Sequence, residues 1–364
     1  MSPGRSAPLV ALLVLFAAAA CTIVDAGQPS PDPFFPTAPP RTADAVEVRR
    51  VQLAVANGYD RPYVEFGDAD HGYALFASCG GQPPASDCPA LLFATANGGR
   101  SWHRISHPRP MARGQRLEVT VDVPVLFVPE DGRYFSLDDG SSFQHERGAT
   151  LPPVVRALRS QVQVDDRIGR LVRWHGGVWR PLAVQPPLSR PQSVYGSDGL
   201  VVAASVANGR PVLAVSFDAG AHWRRPRVAT PDGEIVGIRV APSVRGDVWL
   251  IGERRDPDRF PALWHYDGDW RPLMVDRYPE PFVSLVPFGE GRLAVSGPDG
   301  GGLITAPGGH YIDESWPLRG NHRLTLLFDG TLQARGPEDL LLGVEGGRHW
   351  VRVVLERRRP STDR

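Results

Sequence analysis

The chain has 364 residues, and its forty basic residues, every one an arginine, balance forty acidic ones. A formal net charge of zero without a basic block argues against an electrostatic footprint for nucleic acid. Ala, Gly and Pro are abundant beside the all-arginine usage, so the arginines read as codon bias rather than as a binding code.

The first element in chain order is a targeting segment. Arg5 supplies a positive start, and the run from Pro8 to Ala20 is apolar and ends in small residues, the layout of a secretory signal. With about 13 residues it falls short of the ~20 that a helix needs to cross a bilayer. The run closes on Ala18-Ala19-Ala20-Cys21, which resembles the lipobox of bacterial lipoproteins. That resemblance implies that Cys21 receives a diacylglyceryl group, becomes the first mature residue, and holds the protein on the extracytoplasmic side of a membrane. Residues 22–45 are rich in Pro, Ser, Thr and Ala and show no apolar period. Pro favours extended polyproline II, so this stretch is expected to act as a semi-rigid spacer.

The expected organisation is therefore a signal at 1–20, a lipidated cysteine and linker at 21–45, a folded body at 46–358 and a polar tail at 359–364. In an exported protein the remaining cysteines, Cys79 and Cys88, are expected to form a disulfide. They stand nine positions apart around Gly80, Gly81, Pro83 and Pro84. A metal site at these cysteines is not expected, because no C-x-x-C occurs and the nearest histidine is His71.

From Val46 onward no long helical period appears. Short β-rich runs follow one another instead, among them HGYALFAS, PVLFVP, LVVAAS, PVLAVSF, DVWLIG, RLAVSG, RLTLLF and DLLLGV, punctuated by Gly, Pro and Asp. That pattern argues an all-β body. Within it a repeat stands out. TANGGRSW carries Thr95, Asn97, Gly99 and Trp102; SLDDGSSF carries Ser136, Asp138, Gly140 and Phe143; SFDAGAHW carries Ser216, Asp218, Gly220 and Trp223. Degenerate copies end in Tyr311 and Trp350, and two shorter ones, RLVRWHGGVWRPL and ALWHYDGDWRPL, place Trp179 and Trp270.

The Ser/Thr-x-Asp/Asn-x-Gly-x-x-aromatic pattern resembles the Asp-box, or BNR, repeat of sialidase-like propellers. The aromatic anchors recur every 36–47 residues, close to the roughly 40–50 of one four-stranded blade. Seven anchors predict a single seven-bladed β-propeller, with six or eight as the neighbouring counts. The hydroxyl and carboxylate of each box are expected to accept hydrogen bonds from their own turn, and Gly is expected to supply positive φ. The aromatic is expected to be buried beneath the turn. The resemblance places these turns between third and fourth strands, at the rim and away from the central channel. A strand-like piece beginning near Val46 is expected to cover the edge of the last blade.

Sialidases would add an arginine triad, an acid/base Asp and a Tyr–Glu nucleophile pair. Their Phe/Tyr-Arg-Ile-Pro signature is absent, with YDRPYVEF and WHRISHP the nearest strings, so no catalytic residue is assigned. Acidic pairs occur at Asp68/Asp70, Asp165/Asp166, Asp256/Asp258 and Glu338/Asp339, most of them in expected turns. No P-loop, G-x-S-x-G or H-E-x-x-H motif occurs, and neither a cofactor nor a metal is expected. The expected role is a monomeric, lipid-anchored module that binds or assembles with a protein or a glycan. The alternative is a sialidase-like glycoside hydrolase with a diverged site.

Overall fold

The computed structural model describes residues 46–78, 87–148, 150–197, 199–230, 232–244 and 246–358. The chain enters through β1 (Glu47–Leu53) and then builds seven antiparallel sheets in sequence order. Blade 1 holds β2 (Tyr63–Phe66), β3 (His71–Ala77), β4 (Cys88–Ala96) and β5 (His103–Ile105), with β6 (Met111–Ala112) added beside the start of β4. Blade 2 holds β7 (Arg116–Thr120), β8 (Val123–Val128), β9 (Gly132–Phe135) and β10 (Gln144–Glu146). A short helix, α1 (Pro153–Arg159), precedes blade 3, which has β11 (Val162–Asp165), β12 (Arg170–His175) and β13 (Val178–Pro181). Blade 4 holds β14 (Ser193–Ser197), β15 (Leu200–Ala207) and β16 (Arg210–Ser216). The stretch HWRRPRV after its repeat turn joins the sheet through a bridge between Val215 and Arg224 in place of a fourth strand.

Blade 5 holds β17 (Ile235–Pro242), β18 (Val248–Arg254), β19 (Ala262–Tyr266) and β20 (Trp270–Leu273). Blade 6 holds β21 (Ser284–Gly289), β22 (Arg292–Gly297), β23 (Gly300–Thr305) and β24 (His310–Asp313). Blade 7 holds β25 (Arg323–Leu326), β26 (Leu332–Arg335), β27 (Leu340–Val344) and β28 (His349–Arg357). The chain is thus an all-β, seven-bladed propeller.

The cores explain the uninterrupted apolar runs. Along β18, Val248 and Leu250 face blade 4, where they meet Val202 and Leu213. Trp249 and Ile251 point the other way and meet Leu293 and Val295 of blade 6. Side chains alternate across a strand, so a blade buried on both faces needs apolar residues at every position. Each fully buried side chain of this size contributes roughly 1.5–3 kcal/mol. First strands of neighbouring blades touch one another at β2 and β7, β14 and β17, β17 and β21, and β21 and β25, which sets them around the axis. Their outward N–H groups, left without a ladder partner, are taken up by the neighbour: Val240 N–H donates to Ser193 Oγ at 3.0 Å, Leu324 N–H to Ser284 Oγ at 2.8 Å, and Phe66 N–H to Gln333 Oε1 at 3.1 Å.

Blade 3 departs from the repeat. In blades 1 and 2 the Gly of the repeat turn lies against the last strand of the preceding blade, Gly140 against Ile105 and Gly99 against Val353. Gly220 of blade 4 lies against Leu182, just beyond β13. So β13 is the outer strand of blade 3, and the strand missing is the first. Helix α1 takes its place. Val155 is fully buried against Val123 and Val125 of β8, packing on the second strand of the preceding blade as β17 does on β15. Pro153 starts the helix, where a missing N–H is harmless, and Arg156 and Arg159 stand at its C-terminal end, where positive charge is favoured.

The strand beginning near Val46 covers the last blade, as expected. β1 runs parallel to β28, Glu47 opposite Val351 and Leu53 opposite Arg357. Glu47 is bonded by Arg49 Nε at 2.7 Å and lies 3.0 Å from His349 Nε2, while Arg49 also donates to the Gly98 carbonyl at 2.6 Å. Arg49, then His349, hold the Glu47 carboxyl at about 2, below its ordinary 4.5. A depressed carboxylate pKa adds stability above the unfolded value and loses it as pH falls through the folded value. Acid unfolding should therefore show wild type more stable than Glu47→Gln above pH 4.5, with the gap closing towards pH 2. A gap independent of pH over that window would contradict the clasp.

Candidate functional site

The antiparallel order divides the turns between two faces. First-to-second and third-to-fourth turns share one face, the turn face. Second-to-third turns and the connections between blades share the other, the connection face.

On the turn face the three repeat turns share one hydrogen-bond scheme. In blade 4 Ser216 Oγ donates to Asp218 Oδ1 at 2.8 Å and accepts from Gly220 N–H at 2.7 Å, and Asp218 Oδ1 accepts from His222 N–H at 2.8 Å. Blade 2 repeats it with Ser136, Asp138, Gly140 and Ser142 at 2.7, 2.7 and 2.9 Å. Blade 1 repeats it with Thr95, Asn97, Gly99 and Ser101 at 3.0, 3.1 and 2.9 Å. Gly99, Gly140 and Gly220 all have φ between +80° and +92°, a region that a side chain would strain. The backbone bond from His222, with the His222 ring and Ser216 beside it, holds the Asp218 carboxyl well below the usual range. The Ser142 and Ser136 hydroxyls do the same for Asp138. Both carboxylates are committed to their own turns.

The aromatic ends differ from the expectation. Trp102 and Trp223 are half-buried, as is Phe143. Trp223 Nε1 donates across to the Val184 carbonyl at 3.1 Å, so it serves the seam with blade 3 more than a closed core. Two of the four degenerate copies carry the deeper anchors, Trp270 and Trp350, at 4% and 3% exposure, whereas Trp179 and Tyr311 are half-buried too. The hydroxyl and the Asp or Asn satisfy the turn, whereas depth depends on what the neighbouring blade supplies. Cys21 and Cys79 lie outside the described residues. Cys88 is buried at the start of β4.

A dense polar constellation lies along the inner strands where blades 7, 1 and 2 meet, running from Tyr63 and Arg335 at the connection-face ends of β2 and β26 to Glu65 and Gln333 nearer the turn face. Tyr63 and Glu65 come from β2, Gln333 and Arg335 from β26. Tyr63 Oη donates to Glu65 Oε1 at 2.5 Å, Arg335 pairs with the same oxygen at 2.9 Å, and Gln333 Nε2 donates to Oε2 at 3.0 Å. Arg335 also lies over the Tyr63 ring, 4.6 Å from its centre, and donates to the Val64 carbonyl. Beside it Arg133 of β9 pairs with Glu118 of β7 at 3.1 Å. Burial, then the Glu65 charge, pushes the Tyr63 hydroxyl above its ordinary value, so the phenol keeps its proton. Three donors converge on Glu65, whose side chain is 15% exposed.

Tyr63 and Glu65 stand two apart in PYVEFGD, a spacing that places both on one side of a strand. Their partners come from the far end of the chain, beyond any local motif.

No family model matches this chain, and no curated protein matches it. Solved structures similar to it include YCF48 bound to D1 peptide, at 13% identity and TM-score 0.33 over 83% of this chain and 86% of that one. A GH74 xyloglucanase from Xanthomonas campestris is similar at 19% identity and TM-score 0.37, over 76% of this chain and 49% of that one. Virginiamycin B lyase from Staphylococcus aureus is similar at 12% identity and TM-score 0.34, over 79% and 82%.

Proposed function

We propose that this chain is an exported, lipid-anchored propeller that binds a protein or glycan partner on its connection face. The observation that carries the reading is where the chain enters. Glu47 lies opposite Val351 and against His349, immediately after the third-to-fourth turn of blade 7, so the N-terminal side leaves from the turn face. A tether attached there through Cys21 leaves the opposite face, where Tyr63 opens β2 and Arg335 closes β26, clear of the attachment point. The Tyr63–Glu65–Arg335 constellation is closed on itself, every charge already met, and forms a fixed polar surface. Fixed polar groups suit recognition because little side-chain freedom is lost on binding. The Cys79–Cys88 disulfide belongs to the same reading, as does a monomeric state. So does the assignment of the repeat turns, Asp138 and Asp218 included, as Asp-box turns without chemistry.

A second reading, an exo-glycosidase, is favoured by one observation: a tyrosine hydroxyl 2.5 Å from a glutamate, with an arginine on both, at an inner strand. The raised Tyr63 pKa works against it, since a phenol that holds its proton is a poor nucleophile. Membrane fractions carrying the protein separate the two on fluorogenic sialosides and other glycosides. The binding reading expects no turnover above a strain lacking the protein. Turnover abolished by Tyr63→Phe with the melting temperature held would establish the hydrolase instead.

A further inference from the structure

The turn face carries a second polar cluster that none of the above uses. Asp68 lies in the turn between β2 and β3, His71 opens β3, and Asp122 lies in the two-residue turn between β7 and β8. Ligand atoms of all three lie within 4.8 Å of one another.

Each residue is delivered by backbone geometry. Asp68 Oδ1 accepts from the N–H groups of Asp70 and His71 at 2.7 and 2.5 Å, which fixes its carboxylate plane. Its Oδ2 then sits 2.8 Å from His71 Nδ1. Asp122 arrives from the next blade. Its approach depends on Gly67: a Cβ there would stand 2.6 Å from Asp122 Oδ1 and 2.8 Å from its Cα. That Oδ1 is fully enclosed and accepts no hydrogen bond among the described residues. A buried carboxylate oxygen without a donor is costly, and a second carboxylate beside it raises the cost. Asp139 and Asp329 border the cluster and add negative charge, Asp329 being partly engaged by Ala69 N–H at 2.8 Å.

We propose that Asp68, His71 and Asp122 form a binding site for one first-row divalent cation, Zn²⁺ or Mn²⁺, that staples blade 1 to blade 2. Two carboxylate oxygens and one imidazole nitrogen suit these ions, whereas Ca²⁺ and Mg²⁺ prefer oxygen throughout. Water completes the coordination. His71 binds as the neutral ring. If Nδ1 is the ligand, its proton resides on Nε2 and the cation replaces the hydrogen bond to Asp68. The enclosed Asp122 oxygen gains the partner it lacks.

The test uses the exported, full-length protein in detergent, stripped with a chelator and dialysed, then titrated calorimetrically with Zn²⁺, Mn²⁺, Ca²⁺ and Mg²⁺ near neutral pH. One equivalent of Zn²⁺ or Mn²⁺ should bind, and the melting temperature should rise with its concentration. Asp122→Asn keeps the shape and tolerates the left-handed turn; it should weaken binding by at least about tenfold while the metal-free protein melts as wild type does. His71→Gln should do the same, and decides the matter if Asp122→Asn fails to fold. No uptake, or uptake that survives both substitutions, would overturn the site. Ca²⁺ binding as tightly as Zn²⁺ and Mn²⁺ would overturn the assignment of the cation.

Discussion

Trp350→Ala is expected to lower stability by ~3–5 kcal/mol, the largest effect of any single repeat aromatic, because it empties a closed site between two blades. Trp350 is 3% exposed and packs with Trp316, ring centres 5.6 Å apart, over Leu318, Leu324 and Leu341. Its Nε1 donates to the Gly347 carbonyl at 2.9 Å, and a Cβ on Gly343 would fall 2.9 Å from its ring. No small movement closes a cavity so enclosed. Trp223→Ala should cost about half as much, since that ring is half-buried and water enters the space it leaves. Urea unfolding of the two variants beside wild type measures the ranking. A Trp223→Ala loss equal to or above that of Trp350→Ala would contradict the account of how the repeat aromatics divide their work.

Cys21→Ser is expected to move the protein from the membrane fraction to the soluble extracytoplasmic fraction almost completely, because thioether formation requires the thiol. Among the described residues no helix is long and apolar enough to cross a bilayer. Two or more acyl chains anchor stably, whereas loss of the acylated cysteine leaves only weak surface association. Fractionation after a high-salt wash, followed by immunoblotting, reads the result. A Ser variant that stays with the membrane through the wash would sink the lipoprotein reading.

Most blades were legible in the sequence because each β-run has the length and β-branched content of a strand and each turn carries its own residues. HGYALFAS became β3, LVVAAS and PVLAVSF became β15 and β16, and RLTLLF and DLLLGV became β25 and β27. Helix α1 was not legible. Seven residues make under two turns, too few for a 3.6-residue period to separate PVVRALR from a strand. The close likeness of RLVRWHGGVWRPL to ALWHYDGDWRPL did carry the right register: both hairpins join third and fourth strands, and only the innermost strand of blade 3 is gone. The depth of each aromatic anchor was not legible, since Trp350 and Trp223 sit in similar turns and differ in what the neighbouring blade offers. The candidate sites hid for the same reason. Glu65 meets Arg335 and Asp68 meets Asp122 only because a ring brings distant strands side by side.

The reading of the connection face as the binding face is tested most directly by photo-cross-linking in living cells. A photoreactive residue at Glu130 or Glu338, exposed in second-to-third turns, is compared with one at Arg100 or His222, exposed in the repeat turns of the opposite face. A discrete adduct is expected from Glu130 and Glu338, retained when Asp138 and Asp218 are replaced in a protein that still folds, and none from Arg100 or His222. Adducts confined to Arg100 and His222 would place the binding surface on the turn face and contradict that reading.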